Sequence, residues 1–128
     1  MSIWFILATM IFLHIIDDYV LQAPCLCNLK QKSFWEKNAP EKLYESDYIV
    51  ALLMHAFSWS FMIMLPLAYV RGFDIGFAFS GILLCNTIVH AITDHLKANK
   101  RKINLWHDQA THICQIFVTA AIFSIGGF

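Results

Sequence analysis

Residues 3–23, IWFILATMIFLHIIDDYVLQA, form an apolar run that one histidine and two aspartates interrupt. A helix that crosses a membrane needs about 20 predominantly apolar residues, and this run is long enough. Three further runs of similar length follow at residues 48–70, 76–96 and 105–125. The sequence therefore predicts an all-α integral membrane protein, a four-transmembrane-helix bundle that forms a single membrane domain over residues 1–128.

The composition supports this prediction and excludes several other classes. The chain has 128 residues, of which 59% are hydrophobic and 14% are charged, whereas about a quarter of the residues of a soluble domain are charged. Such hydrophobicity excludes intrinsic disorder. Nine Lys and Arg residues balance nine Asp and Glu residues, so no basic excess points to a nucleic-acid partner. Four cysteines are present, and we expect reduced thiols because two fall inside spans and the pair at 25 and 27 is a weak metal signal.

The distribution of positive charge predicts the orientation of the helices. The first connection carries four lysines and the segment after the third span carries four basic residues, against Arg71 alone on the opposite side. By the positive-inside rule, both termini are non-cytoplasmic in a bacterial inner (cytoplasmic) membrane. A cleavable signal peptide is disfavoured because no basic residue precedes the first run. The first connection mixes aromatic and charged residues, and it is either an amphipathic interfacial segment or an ordinary loop.

Ionisable residues inside the predicted spans are the strongest functional signal. An aspartate at the centre of a membrane helix costs about 2.5 to 3.5 kcal/mol on insertion scales. Three His/Asp pairs are spaced four residues apart, so that each pair projects from one helix face. With the lone histidine of the second span, the predicted metal ligands are His14, Asp18, His55, His90, Asp94, Asp108 and His112.

These residues also share one depth in the bundle. At a rise of 1.5 Å per residue, the aspartates lie about one turn or less from the cytoplasmic ends, and the histidines about two turns. We therefore expect a polar site near the cytoplasmic third that holds one or two divalent transition metal ions, zinc first, with manganese or iron as alternatives. A purely structural role, in which the same residues join helices by hydrogen bonds, is the competing interpretation.

Other polar residues receive supporting roles. Asp17 is a candidate general base, a partner that orients a ligand, or an alternative ligand, and Asp108 is the second candidate base. Four further residues are candidates for orienting ligands or binding substrate, namely Gln22, Lys97, Asn104 and Gln109. Most of the aromatic residues, including the four tryptophans, are expected to face lipid or the membrane interface, and they are assigned no chemistry.

The spacing of these residues resembles a known family. His14-x-x-x-Asp18-x-x-x-Gln22, the lone His55, His90-x-x-x-Asp94-x-x-Lys97 and Asp108-Gln109-x-x-His112 together resemble small bacterial and phage membrane proteins of unknown function, over essentially the whole chain. More remotely, the chain is similar to membrane-bound metal-dependent hydrolases. The resemblance implies a metal-binding membrane protein whose polar set is the ligand set given above. The sequence departs from the usual pattern of the family at Asp17, where a small or apolar residue is usual.

The leading functional hypothesis is a metal-dependent hydrolase that acts at the cytoplasmic face on a lipid or another membrane-delivered phosphoester or amide. Membrane lipids are thus the expected partners, and oligomer formation is left open. One alternative is a proton or divalent-cation transporter or channel subunit. The outer parts of the second and fourth spans, residues 61–67 and 117–123, look almost wholly apolar and argue against it. A redox di-iron bundle ranks lower because no glutamate lies inside a span. A non-catalytic membrane factor that metal merely stabilises is the last alternative.

Overall fold

The computed structural model describes residues 2–22 and 24–126, and over those residues helices are joined by turns and loops without any strand. The chain runs through α1 (Ile3–Ile15), a π-helical segment (Ile16–Leu21), α2 (Pro24–Leu29), α3 (Lys32–Asn38), a 3₁₀ turn (Lys42–Tyr44), α4 (Asp47–Val70), α5 (Phe77–Ala98) and α6 (Leu105–Gly126). The predicted all-α class is therefore confirmed.

Four helical stretches are long and apolar enough to cross a membrane: Ile3–Leu21, Lys42–Val70, Phe77–Ala98 and Leu105–Gly126. They correspond to the four predicted runs, which supports a multi-pass membrane protein. The predicted end of the first run, Ala23, lies outside the described residues. Which ends of these helices face the cytoplasm stays a prediction.

The connections differ in length and form. The first one folds into α2, α3 and the 3₁₀ turn, so that much of it is helical. Within it, the indole of Trp35 stacks on the ring of Tyr44 with centroids 6.2 Å apart. The α4–α5 connection is a tight turn in which Gly72 adopts a left-handed backbone, with φ of 62°. Glycine favours this conformation because it lacks a Cβ atom.

The bundle interior divides into an apolar half and a polar half. The apolar half combines the start of α1, the later turns of α4, the start of α5 and the later turns of α6. It contains Met10, Ile63, Met64, Ile116 and Phe123. The polar half lies at the opposite ends of the same helices, where buried histidines and aspartates from all four spans meet. Antiparallel neighbours thus bring residues that are distant in sequence to one level of the bundle.

The outer surface of the bundle is strongly apolar. Large hydrophobic side chains are exposed along the helices, including Trp4, Phe12, Met54, Val118 and Ile125. Soluble monomers rarely expose apolar patches of this extent, because such surface is unfavourable in water. The buried polar interior and apolar exterior fit a protein whose solvent is the bilayer.

Candidate metal centre

Five buried or nearly buried side chains converge from four helical elements. The π-helical segment contributes Asp18, α4 contributes His55, α5 contributes His90 and Asp94, and α6 contributes His112. They form two overlapping groups that could hold a metal ion, Asp18–His55–His90 and His90–Asp94–His112. Ligand atoms within each group lie within 4.8 Å of one another. The structure thus brings together five of the seven predicted ligands.

The spacing of these atoms fits the ligand shell of a transition metal. His55 Nε2 lies 3.1 Å from His90 Nε2, 3.4 Å from Asp18 Oδ1 and 3.5 Å from Asp94 Oδ2. Asp94 Oδ1 lies 3.8 Å from His90 Nε2 and 3.7 Å from His112 Nε2. Ligands bound tetrahedrally at about 2.0 to 2.1 Å are separated by about 3.3 to 3.4 Å. The observed separations lie around this value.

Unpaired polar atoms provide a second test of the fit. His90 Nδ1 and His112 Nε2 are buried and have no hydrogen-bond partner among the described residues. His112 Nε2 lies 3.5 Å from Asp108 Oδ1, which is also unpaired. A buried polar atom without a partner is costly, and native proteins rarely keep several together without a reason. A cation bound between His112 Nε2 and Asp94 would provide His112 Nε2 with a partner, whereas His90 Nδ1 is on the other edge of its ring from the Nε2 atom that faces the cluster.

Asp17 lies on the other side of the His55 ring from the cluster. Its Oδ2 is 3.6 Å from His55 Nδ1, and its Oδ1 accepts a hydrogen bond of 2.7 Å from the Ser58 hydroxyl. Asp18 lies next to His55 Nε2, so the two consecutive aspartates lie next to different nitrogens of the same imidazole ring. The π-helical backbone carries both residues, and π-helical turns occur frequently at functional sites. Asp17 is thus placed to orient His55 as a ligand.

His14 is held by neighbours outside the two ligand groups. The Trp59 indole N–H donates a 2.7 Å hydrogen bond to His14 Nδ1, and His14 Nε2 lies 3.1 Å from Gln109 Oε1. Since Nδ1 accepts, a neutral ring carries its proton on Nε2 and donates it to Gln109. Both ring nitrogens are therefore engaged. The structure places this predicted ligand beside the cluster, 3.6 Å from Asp18 Oδ2.

Asp108 also lies at the edge of the cluster. Its Oδ2 accepts from Lys97 Nζ at 2.5 Å and from Gln109 Nε2 at 3.2 Å. Gln109 also reaches Asp18 Oδ2 at 3.4 Å, so it links two carboxylates. Lys97 is 38% exposed while Asp108 is buried, so this pair connects the interior with the surface. The catalytic roles assigned to Asp17 and Asp108 stay predictions.

The remaining two predicted supporting residues differ in position. The Gln22 carboxamide lies 3.1 Å from His55 Nε2 and also reaches Lys30 Nζ, so it belongs to the cluster. Asn104 is exposed and accepts from the His107 backbone N–H at 3.1 Å, with the His107 ring 2.7 Å away. It stabilises the first turn of α6 and makes no ligand contact among the described residues.

Trp59 is an exception to the general expectation for the tryptophans. This side chain is fully buried, and its ring stacks on His90 with centroids 4.3 Å apart. It lies four residues after His55, on the same face of α4, and this spacing was the signal available in the sequence. Trp4 and Trp106 are 77% and 84% exposed, as the prediction requires.

Polar residues extend from the cluster into the half expected to be apolar. Gln115 Oε1 lies 3.5 Å from His112 Nδ1, and Gln115 Nε2 donates to Asn86 Oδ1 at 3.2 Å. Asn86 Nδ2 in turn donates to Thr119 Oγ1 at 2.9 Å, and all three side chains are buried. Within residues 117–123 only Thr119 belongs to this series, so that segment is almost wholly apolar as expected, and Gln115 and Asn86 lie outside it. Asn86 precedes His90 by four residues and Gln115 follows His112 by three, so periodicity could have revealed both.

Lys30 is another residue whose role the sequence did not reveal. It was counted only among the four lysines of the first connection, but it is 8% exposed and its Nζ lies 2.5 Å from Asp94 Oδ2. No sequence periodicity links it to the cluster, because it lies in the turn after α2.

Comparison with known proteins does not identify the chain: no family model, no curated protein and no solved structure matches it.

Proposed function

We propose that this protein binds a divalent transition metal inside the membrane and uses it to hydrolyse a membrane-delivered phosphoester or amide, with a lipid as the first candidate substrate. The observation that carries the proposal is the convergence of Asp18, His55, His90, Asp94 and His112 at metal-ligand spacing. Mixed imidazole and carboxylate ligands suit zinc, and also manganese or iron. Interfacial basic residues would favour an anionic lipid leaflet.

The donor set divides into ligands and residues that hold them. A divalent ion bound there would supply Lewis acidity, which is one established way to promote hydrolysis of phosphoesters and amides. Asp17 Oδ2 lies 3.6 Å from His55 Nδ1, and we assign it the role of orienting that ring; Trp59 and Gln109 hold the His14 ring beside Asp18 by hydrogen bonds. This network leaves Asp108 as the buried carboxylate nearest to the ligands that is outside both groups, and we assign it the role of general base.

A second function has one observation in its favour. The hydrogen-bonded series from His112 through Gln115 and Asn86 to Thr119 carries polar groups toward the other end of the bundle. Proton or divalent-cation transport needs such polar groups along the membrane path. Apolar side chains, including Ile63, Ile116 and Phe123, close the interior around this series, and we therefore rank transport second.

One preparation tests both functions. Purified protein, loaded with Zn²⁺ or Mn²⁺, is reconstituted into vesicles that contain fluorogenic phospholipid phosphoester and amide substrates and an enclosed zinc-sensitive dye. The hydrolase proposal predicts metal-dependent product formation without dye response, and a loss of kcat of at least about 100-fold in Asp108→Asn with bound metal retained. The exposed Asp74→Asn serves as the control.

The other results are equally informative. Dye response without hydrolysis, reduced in Asn86→Leu, would overturn the hydrolase proposal in favour of transport. Bound metal with neither activity against these substrate classes would contradict it and favour a membrane factor that metal stabilises.

A further inference from the structure

Lys30 brings a positive charge into the candidate metal centre. Its ammonium group lies 2.5 Å from Asp94 Oδ2 and also contacts the Gln22 carboxamide. A lysine is almost never buried without a charged partner, because desolvation of an ammonium is costly. The Lys30–Asp94 ion pair is therefore a buried component of the site and differs from an ion pair on the protein surface.

The backbone around Lys30 is fixed at the same position. Asn99, which follows α5, donates from Nδ2 to the Lys30 carbonyl at 3.0 Å. Its Oδ1 accepts from the Lys32 backbone N–H at 2.7 Å. One side chain thus bridges the residues on both sides of the turn. This clamp holds Lys30 against the end of α5, the helix that also carries Asp94.

The contact divides the two oxygens of Asp94 between different partners. Oδ2 binds the Lys30 ammonium and lies 3.5 Å from His55 Nε2, whereas Oδ1 lies 3.7 Å from His112 Nε2 and 3.8 Å from His90 Nε2. In the common bidentate bridge, a carboxylate gives one oxygen to each of two metal ions. The Lys30 ammonium already provides a cation at Oδ2, so Oδ1 is the Asp94 oxygen that has no cation beside it.

The net charge of the cluster also favours a single divalent ion. Four buried or nearly buried carboxylates, Asp17, Asp18, Asp94 and Asp108, face two lysines, Lys30 and Lys97. With neutral histidines, two negative charges are left, which one divalent cation neutralises. Two divalent cations would leave an excess of positive charge in a low-dielectric interior.

We infer that Lys30 takes the position of a second cation in the metal centre, so that the site binds one divalent ion and Lys30 moderates its affinity. This inference rests on the metal binding proposed above. It makes Lys30 a residue that sets metal number and selectivity, acting through Asp94.

The test compares Zn²⁺ binding by the full-length protein in detergent, using chelator competition for Kd and elemental mass spectrometry for stoichiometry. Lys30→Met removes the ammonium but keeps the length of the side chain. Lys32→Met is the matched control, since Lys32 is exposed and pairs with Glu36 at 3.7 Å. We expect one Zn²⁺ per chain in the wild type and the control. In Lys30→Met we expect a Kd at least tenfold lower, a second bound ion, or both.

A second variant covers the case in which Lys30→Met does not fold. Asn99→Ala keeps the ammonium but releases its backbone, and we expect a Kd between those of the wild type and Lys30→Met. One ion in the wild type with an unchanged Kd in the variants would overturn the inference and leave the proposed function intact. Two ions in the wild type would also overturn it. No Zn²⁺ in the wild type or in Lys30→Met would refute the proposed metal binding itself.

Discussion

Replacing Trp59 by phenylalanine tests whether the buried network beside the metal centre stabilises the fold. The change keeps an aromatic ring next to His90 but removes the indole N–H that donates to His14 Nδ1 at 2.7 Å. Hydrogen bonds between membrane helices average about 0.6 kcal/mol and reach about 1.7 kcal/mol. Both groups here are fully buried, so His14 Nδ1 would lose its donor without gaining water, which places this bond near the upper limit. The smaller ring leaves a void that adds about 1 kcal/mol.

We therefore expect Trp59→Phe to lower the free energy of unfolding by about 2 to 3 kcal/mol. The assay is equilibrium unfolding in mixed micelles, followed by far-UV circular dichroism, which does not depend on tryptophan fluorescence. Trp4→Phe is the control, because Trp4 is 77% exposed and should change stability by less than about 0.5 kcal/mol. A double-mutant cycle with His14→Leu should give a coupling of at least about 0.5 kcal/mol. Equal stability of the two tryptophan variants, with no coupling, would refute this account of the network.

Three further predictions concern other parts of the molecule. Asp17→Asn should raise the Kd for Zn²⁺ by about 10- to 100-fold, since we assign the Asp17 carboxylate the role of orienting His55. An unchanged Kd in chelator competition would show that Asp17 does not contribute to metal binding. Gln115→Leu should lower the free energy of unfolding by about 1 to 3 kcal/mol, because Asn86 Oδ1 loses its hydrogen-bond donor. Bound metal per chain should stay at the wild-type value, and a loss of metal would show that this network belongs to the metal centre. A C-terminal fusion to alkaline phosphatase should be active in bacterial cells and a fusion to green fluorescent protein should be dark, because the charge distribution predicts a non-cytoplasmic terminus. The reverse pattern would show that the predicted orientation is wrong.

The sequence predicted the four helices and much of the polar site because both depend on simple periodicities. Hydrophobic run length determines the spans, and a rise of 1.5 Å per residue places residues of antiparallel helices at the same level. The pair His90 and Asp94 illustrates this, since its spacing of four residues alone put both side chains on one face. Trp59, four residues after His55, obeyed the same rule. It was assigned to the lipid because tryptophans are common at membrane interfaces.

The parts that the sequence did not reveal depend on three-dimensional details without a periodic signal. Lys30 reaches Asp94 only because the first connection folds into short helices and Asn99 fixes the turn. Whether His14 binds a metal or a neighbouring side chain depends on helix rotation, which places Trp59 and Gln109 within hydrogen-bond distance. Helical spacing defines which face a residue occupies, but the choice among partners on facing helices is made by packing.

The most direct test of the central claim is the metal content of the purified protein, measured by elemental mass spectrometry beside Asp94→Ala. Asp74→Ala is the matched control, because Asp74 is exposed in the α4–α5 connection. We predict one equivalent of a divalent transition metal per chain in the wild type and in the control. Asp94→Ala should lose most of it, because Asp94 contacts Lys30 and three histidines of the cluster, His55, His90 and His112. Absence of metal from the wild type after reconstitution with zinc, manganese and iron, or its full retention in Asp94→Ala, would contradict the account.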